Sequence, residues 1–122
     1  MAGALQARGI TPGSHVALLG PTTRSLVTAI QATWLAGAAA VVLPLPMRLG
    51  SLDEFVAQTR ARIDSADAAI VLIDPDLAAF IEPQAGDPPM IRLDELPIEG
   101  GNFYAPLIAP SSLAVLQFTS GS

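Results

Sequence analysis

Short, almost wholly apolar runs alternate along the chain with segments whose apolar residues recur at helical spacing. The first run, His15-Val-Ala-Leu-Leu19, is introduced by the turn Thr11-Pro-Gly-Ser14 and closed by Gly20-Pro21, which predicts a short buried strand. A helix should follow, capped by Thr22 or Thr23, with Leu26, Val27, Ile30 and Trp34 on one face and Gly37 where a C-terminal glycine belongs. Ala39 to Leu43 reads as a second strand ended by Pro44 and Pro46. After the loop Pro44 to Gly50, Ser51 followed three residues later by Glu54 is a capping box, with Asp53 favourable at the positive end of the helix dipole and Leu52, Phe55, Val56 and Ile63 as the buried stripe.

Ala68 to Ile73 carries no polar alternation, as expected of a parallel strand covered on both faces. Asp74-Pro75-Asp76 then caps a short helix through about Ile81. Residues 82–89 read as proline-rich loop, Met90 to Leu93 as a brief strand, and 94–112 as mostly irregular chain with three prolines and a Gly-Gly pair. The final strand is Leu113 to Phe118. Three successive strand-helix units predict an α/β fold, doubly wound or Rossmann-like, with a mostly parallel sheet flanked by helices. Ligands of such sheets sit beyond the carboxyl ends of the strands, which selects Gly20 to Thr23, Pro44 to Ser51, Asp74 and Thr119 to Ser122.

Composition narrows the chemistry. The 122 residues are 51% apolar and 14% charged, too hydrophobic for a disordered chain. There is no cysteine and a single histidine, His15, so neither a disulfide framework nor a thiolate or histidine metal cluster can form. Net charge is -5, and all six bases are arginines, at 8, 24, 48, 60, 62 and 92, with no patch suited to nucleic acid. The apolar stretches around Ala36 to Leu45 and Ala66 to Ile73 are shorter than the roughly 20 residues of a membrane span, and Met1-Ala-Gly lacks the start of a signal peptide. The expectation is a soluble, cytoplasmic protein with no membrane span.

The end of the chain, Thr119-Ser-Gly-Ser122, is the strongest candidate site. Its hydroxyls and backbone N–H groups can converge on one anion, and Gly121 lets the backbone turn without a Cβ clash. The same composition also suits a flexible linker. It is not a Walker loop, which needs a second glycine and a lysine. No lysine occurs anywhere, so an ammonium charge for a phosphate or carboxylate has to come from elsewhere. Asp74 could accept a phosphoryl group or ligate magnesium, yet beside Pro75 and Asp76 it reads as a helix cap. His15 reads as a partly exposed histidine without a paired acid or nucleophile. Arg60 and Arg62 read as a solvated helix face, with Asp64 within reach of Arg60.

Three ordered segments resemble the adenylate-forming enzymes: acyl-CoA synthetases, fatty acyl-AMP ligases and adenylation domains. Leu5-Gln-Ala-Arg-Gly-Ile-Thr-Pro-Gly-Ser-His-Val-Ala-Leu-Leu19 is similar to the family's "L...GI.PGDRVAL" helix, turn and strand, with Ser14 and His15 in place of the usual Asp and Arg. Ala29 to Leu45 is similar to "A...A...AGA..VPL", and Leu116-Gln-Phe-Thr-Ser-Gly-Ser122 to the first half of the phosphate signature T-S-G-[ST]-T-G-x-P-K. Val41 to Gly50 resembles the "VPLYPPRPG" loop of fatty acyl-AMP ligases, with Met47 and Leu49 where that loop has prolines.

The resemblance implies an AMP-forming ligase that uses ATP and Mg2+ to activate a carboxylic acid, a fatty acid for preference. An acyl-adenylate forms, pyrophosphate leaves, and the acyl group passes to a thiol of CoA or an acyl carrier. It also implies that Thr119, Ser120, Gly121 and Ser122 contact the ATP phosphates, on a loop that joins two strands. Residues 1–112 would form an incomplete N-terminal α/β subdomain, and 113–122 a strand with the first half of the phosphate-binding loop. As a piece of a larger enzyme, the isolated chain would be inactive. The alternatives are a standalone binding or receiver-like module in which Asp74 is the functional acid, and a non-catalytic gene remnant.

Overall fold

A computed structural model describes residues 1–45, 51–99 and 101–119. Strand β1 (His15–Leu19) lies at the centre of a parallel sheet, because both its neighbours pair along its length: β2 (Ala39–Val42) on one side and β3 (Ile70–Ile73) on the other. Strand β4 (Met90–Arg92) adds in parallel to β3, giving the order β2-β1-β3-β4. The all-apolar strands follow from burial on both faces. Val16, Leu18, Ile70 and Leu72 pack into one cluster, while Ala17, Leu19, Val71 and Ile73, one residue out of step, pack into a second on the opposite face.

Helices cover both faces. Helix α1 (Ala2–Ala7) and helix α2 (Arg24–Leu35) bring Leu5, Leu26, Ala29 and Ala32 to the first cluster. Helix α3 (Leu52–Ser65) brings Phe55 and Ile63 to the second. The fold is therefore the doubly wound α/β arrangement predicted from the alternation. Thr23 caps α2, its hydroxyl accepting from Leu26 N–H at 3.2 Å, and Ser51 caps α3 by accepting from Glu54 N–H at 3.0 Å. Gly37 ends α2 with φ of +81°, and the Pro12 ring and backbone lie only 3.0–3.2 Å from where a Cβ would stand, so the Pro-Gly turn before β1 closes on it.

Several predicted boundaries shift. At about 100° per residue, Leu26, Ala29, Ala32 and Thr33 fall on one side of α2, and these are its buried residues; Val27 and Trp34 fall well round the helix and stay half-exposed. Leu52 is likewise exposed at the first residue of α3, and the buried stripe is Phe55, Thr59 and Ile63. The third strand begins at Ile70 because Asp67, at φ of 51°, and Ala68 are still turning off the end of α3. The helix expected through Ile81 is a single turn, α4 (Pro75–Ala78): Ile81 is buried, Phe80 is exposed, and Pro83 disfavours helix at Glu82. The last two predicted strands are also shorter. One stops at Arg92, where a 3-10 turn (Leu93–Glu95) begins, and Leu113 to Phe118 is reduced to one parallel bridge between Val115 and Ala40.

The loop Pro46 to Gly50, with Met47, Arg48 and Leu49, lies outside the described residues, as do Gly100 and Ser120 to Ser122. Among the described residues no helix is long and apolar enough to cross a membrane.

Gly20 leaves β1 in contact with Asp74 leaving β3: a Cβ on Gly20 would stand 2.9 Å from the Asp74 Cβ. Gly20→Ala should therefore lower unfolding free energy by about 1–3 kcal/mol through overpacking. Urea denaturation with an unchanged midpoint would show that the two strand ends can part without cost.

Candidate functional site

Four strands running the same way put four carboxyl ends on one edge of the sheet. Gly20 to Thr23 leads from β1 into α2, Leu43 to Leu45 follows β2, Asp74 follows β3, and Arg92 ends β4. The terminal segment joins this edge. Ala40 N–H donates to the Ala114 carbonyl at 2.8 Å, and Leu116 N–H donates to the Ala40 carbonyl at 3.0 Å, which sets the segment beside β2 and parallel to it. Leu116 and Phe118 pack against the cluster under α3. Thr119 stands four residues beyond Val115, as Pro44 stands four beyond Ala40, so the segment delivers Thr119 toward the carboxyl edge. The rest of the predicted phosphate loop, Ser120, Gly121 and Ser122, lies outside the described residues.

The structure sorts the remaining candidates. The connections leaving β1 and β3 run in opposite directions, so the crevice between these two strands is the topological switch point where doubly wound sheets commonly take a ligand. Here it is closed. Asp74 N–H donates to the Leu19 carbonyl at 2.8 Å, and the missing Gly20 side chain lets Asp74 sit against the backbone. The Asp74 carboxylate accepts from Asp76 N–H at 2.9 Å and so caps α4, as its place before Pro75 predicted. Among the described residues no group of three or more His, Asp or Glu is placed to hold a metal ion. A receiver-like acid at Asp74 therefore has no support from its surroundings.

Charge at the edge is mostly committed. Arg92 forks onto Asp94, Nε to Oδ1 at 3.0 Å and Nη2 to Oδ2 at 2.6 Å, with Glu95 at 3.9 Å. This hydrogen bond, helped by the guanidinium charge, holds the Asp94 carboxyl below its usual range. Arg92 also sits four strand spacings from the terminal segment, about 19 Å at the usual separation. Arg24, at the first position of α2, is an exposed cation on the same edge.

His15 lies at the opposite, amino edge. Its Nδ1 is 2.6 Å from the Ala66 carbonyl, and the proton shared with that acceptor joins the start of β1 to the end of α3. Arg60 corrects the reading of a solvated face. Its side chain is 19% exposed and turns away from Asp64 to Asp87 at 3.1 Å and to the Glu82 carbonyl, pinning the proline-rich loop to α3. Its Nε and Nη1, with Thr59 Oγ1, are buried without a hydrogen-bond partner among the described residues.

One contact of the site had no signal in the spacing. Trp34 Nε1 donates to the Ala114 carbonyl at 2.8 Å across 80 residues, so α2 grips the segment that carries Thr119.

An open, doubly wound parallel sheet with a further parallel segment beside β2 is the frame of the chain. The profile of the AMP-binding enzyme family matches residues 1–122, and the chain belongs to that family. It is similar in structure to the fatty acyl-adenylate ligase from L. pneumophila solved with acyl adenylate and pyrophosphate, at 27% identity and a TM-score of 0.82, over 99% of this chain and 21% of that one. A structure from work on fatty acyl-adenylate ligases of E. coli and L. pneumophila matches at 26% and 0.81, over 99% and 22%. McyG A-PCP complexed with phenylalanyl-adenylate matches at 25% and 0.79, over 98% and 20%. The chain thus spans about a fifth of the length of these structures. No curated protein sequence matches it.

Asp74→Ala should cost about 1 kcal/mol, the worth of an N-cap, while Asp74→Asn keeps the cap and the stability. Equal losses in thermal or urea unfolding for both variants would mean that the charge, and not the cap, is what Asp74 supplies.

Proposed function

We propose that the chain provides part of the phosphate-binding loop of an acid-activating ligase, with Thr119, Ser120, Gly121 and Ser122 donating hydrogen bonds to the β- and γ-phosphates of ATP. The observation that carries this reading is the parallel seating of 113–119 beside β2, which brings Thr119 to the edge shared by Gly20 to Thr23 and Pro44. Membership of the AMP-binding family over residues 1–122 supports it.

In the proposed reaction a carboxylate oxygen attacks the α-phosphorus, the bond from that phosphorus to the α,β-bridging oxygen breaks, and pyrophosphate departs with the negative charge. Hydroxyl and N–H donors fixed around the departing phosphates stabilise that charge without having to reorganise. The donor set fits the phosphates, being neutral and hydrogen-rich. It offers Mg2+ only hydroxyl oxygens, so the ion is proposed as a companion of the nucleotide, lending charge neutralisation when bound.

A fatty acid is the proposed substrate, supported by the fatty acyl-adenylate ligases among the similar structures and by the resemblance of Val41 to Gly50 to the loop of such ligases. The proposed acceptor is a thiol of CoA or an acyl carrier. These 122 residues contain no lysine and span about a fifth of the similar structures, so we take the polypeptide alone to be insufficient for the reaction.

The test is fatty-acid-dependent exchange of pyrophosphate into ATP by the complete polypeptide. Thr119→Ala or Ser120→Ala should each lower kcat by roughly 10²-fold, the usual cost of one preorganised donor. Variants that exchange at the unaltered rate would refute the assignment of the loop, and pyrophosphate release by the isolated 122 residues would refute their insufficiency.

A further inference from the structure

Among the described residues the terminal segment joins the sheet at one bridge. Ala40 exchanges two hydrogen bonds with Ala114 and Leu116, and among the described residues no second bridge follows at Val42. The outward side chains Leu113 and Val115 are half-exposed. Against that, the Ala114 carbonyl accepts a second hydrogen bond, from Trp34 Nε1, at the same 2.8 Å as the bond from Ala40. A carbonyl oxygen has two lone pairs, so the two donors complement one another. The indole is 42% exposed and borders an apolar groove of about 540 Å³ with Leu35, Phe103, Pro106 and Ile108. Its N–H therefore spans from a capped, well-packed helix to a segment whose own pairing is a single bridge.

We infer that Trp34 is a positioning residue for the phosphate-binding loop: its indole N–H fixes the height of residues 113–119 along β2, and hence where Thr119 and the following donors stand. The inference rests on the loop assignment proposed above. Trp34 touches neither nucleotide nor acid in this reading. It acts through Ala114, five residues before Thr119, and so governs donor placement without adding a donor. Small displacements of such donors weaken phosphate contacts strongly, because the hydrogen bonds depend on distance and angle together.

The experiment compares the complete polypeptide carrying Trp34, Trp34→Phe, and 3-benzothienylalanine at position 34, which keeps the shape of the indole but replaces N–H by sulfur. Hydrogen exchange of the amides in 113–119 and the affinity for ATP are read for each. Loss of one net hydrogen bond predicts that both altered proteins bind ATP about five-fold more weakly and exchange 113–119 about five-fold faster, with β1 and β3 unchanged. 5-Fluorotryptophan, which retains the N–H, should restore both readouts.

Unaltered exchange in 113–119 for the sulfur isostere overturns the positioning role, and the isostere keeps that arm decisive even where Trp34→Phe fails to fold. Faster exchange with unaltered ATP affinity overturns the link from Trp34 to the loop. Absence of ATP binding by the unaltered protein overturns the loop assignment and with it this inference, whereas the exchange arm reports on the clamp separately.

Discussion

The proposed site depends on a backbone exchange at one residue. Ala40 turns its N–H and its carbonyl outward from β2, the first to Ala114 and the second from Leu116, and this sets a fifth extended segment parallel to the four strands. Direction is the consequence that matters. An antiparallel segment would have carried the hydroxyl-rich end to the amino edge, beside His15. A parallel one carries Thr119 to the edge where every strand of the sheet delivers its chain into a loop or helix. The apolar clusters on both faces make β2 rigid enough to serve as that template, since Val41 and Leu43 lie in one cluster and Ala40 in the other.

A second candidate stands on the same edge. In a doubly wound fold the switch point between β1 and β3 is the natural place for a ligand, and its geometry invites a reading of Asp74 as an acid in function. At that switch point Gly20 packs against the Asp74 side chain, and the carboxylate caps α4. The terminal segment approaches the edge on the side near β2, away from Arg92 and its acids.

Much of the fold was legible in the sequence because its signals were local. Ser51 with Glu54, Thr23 before Leu26, Gly37 after α2, and the uninterrupted apolar run of β3 each declare a cap, a stop or a strand within a few residues. The boundaries that moved were decided by contacts the sequence does not display. Phe80 and Ile81 had to part between solvent and core, ending α4 after one turn. Arg60 looked like a surface charge by helical spacing, yet the loop around Asp87 folded back over it. At the site, Thr119 to Ser122 stood out by composition and by resemblance to the phosphate signature. The donors to Ala114 on the segment that leads to it, Ala40 and Trp34, lay 74 and 80 residues earlier and gave no local sign.

The central claim is that phosphates meet this protein at the carboxyl end of the segment beside β2. A crystal structure of the complete polypeptide with a non-hydrolysable ATP analogue tests it most directly. The account predicts the β- and γ-phosphate oxygens within hydrogen-bond distance of Thr119, Ser120 and the Gly121 N–H, with Asp74 still capping α4. Phosphates bound in an opened crevice between Gly20 and Asp74, with 119–122 turned away from them, would contradict it.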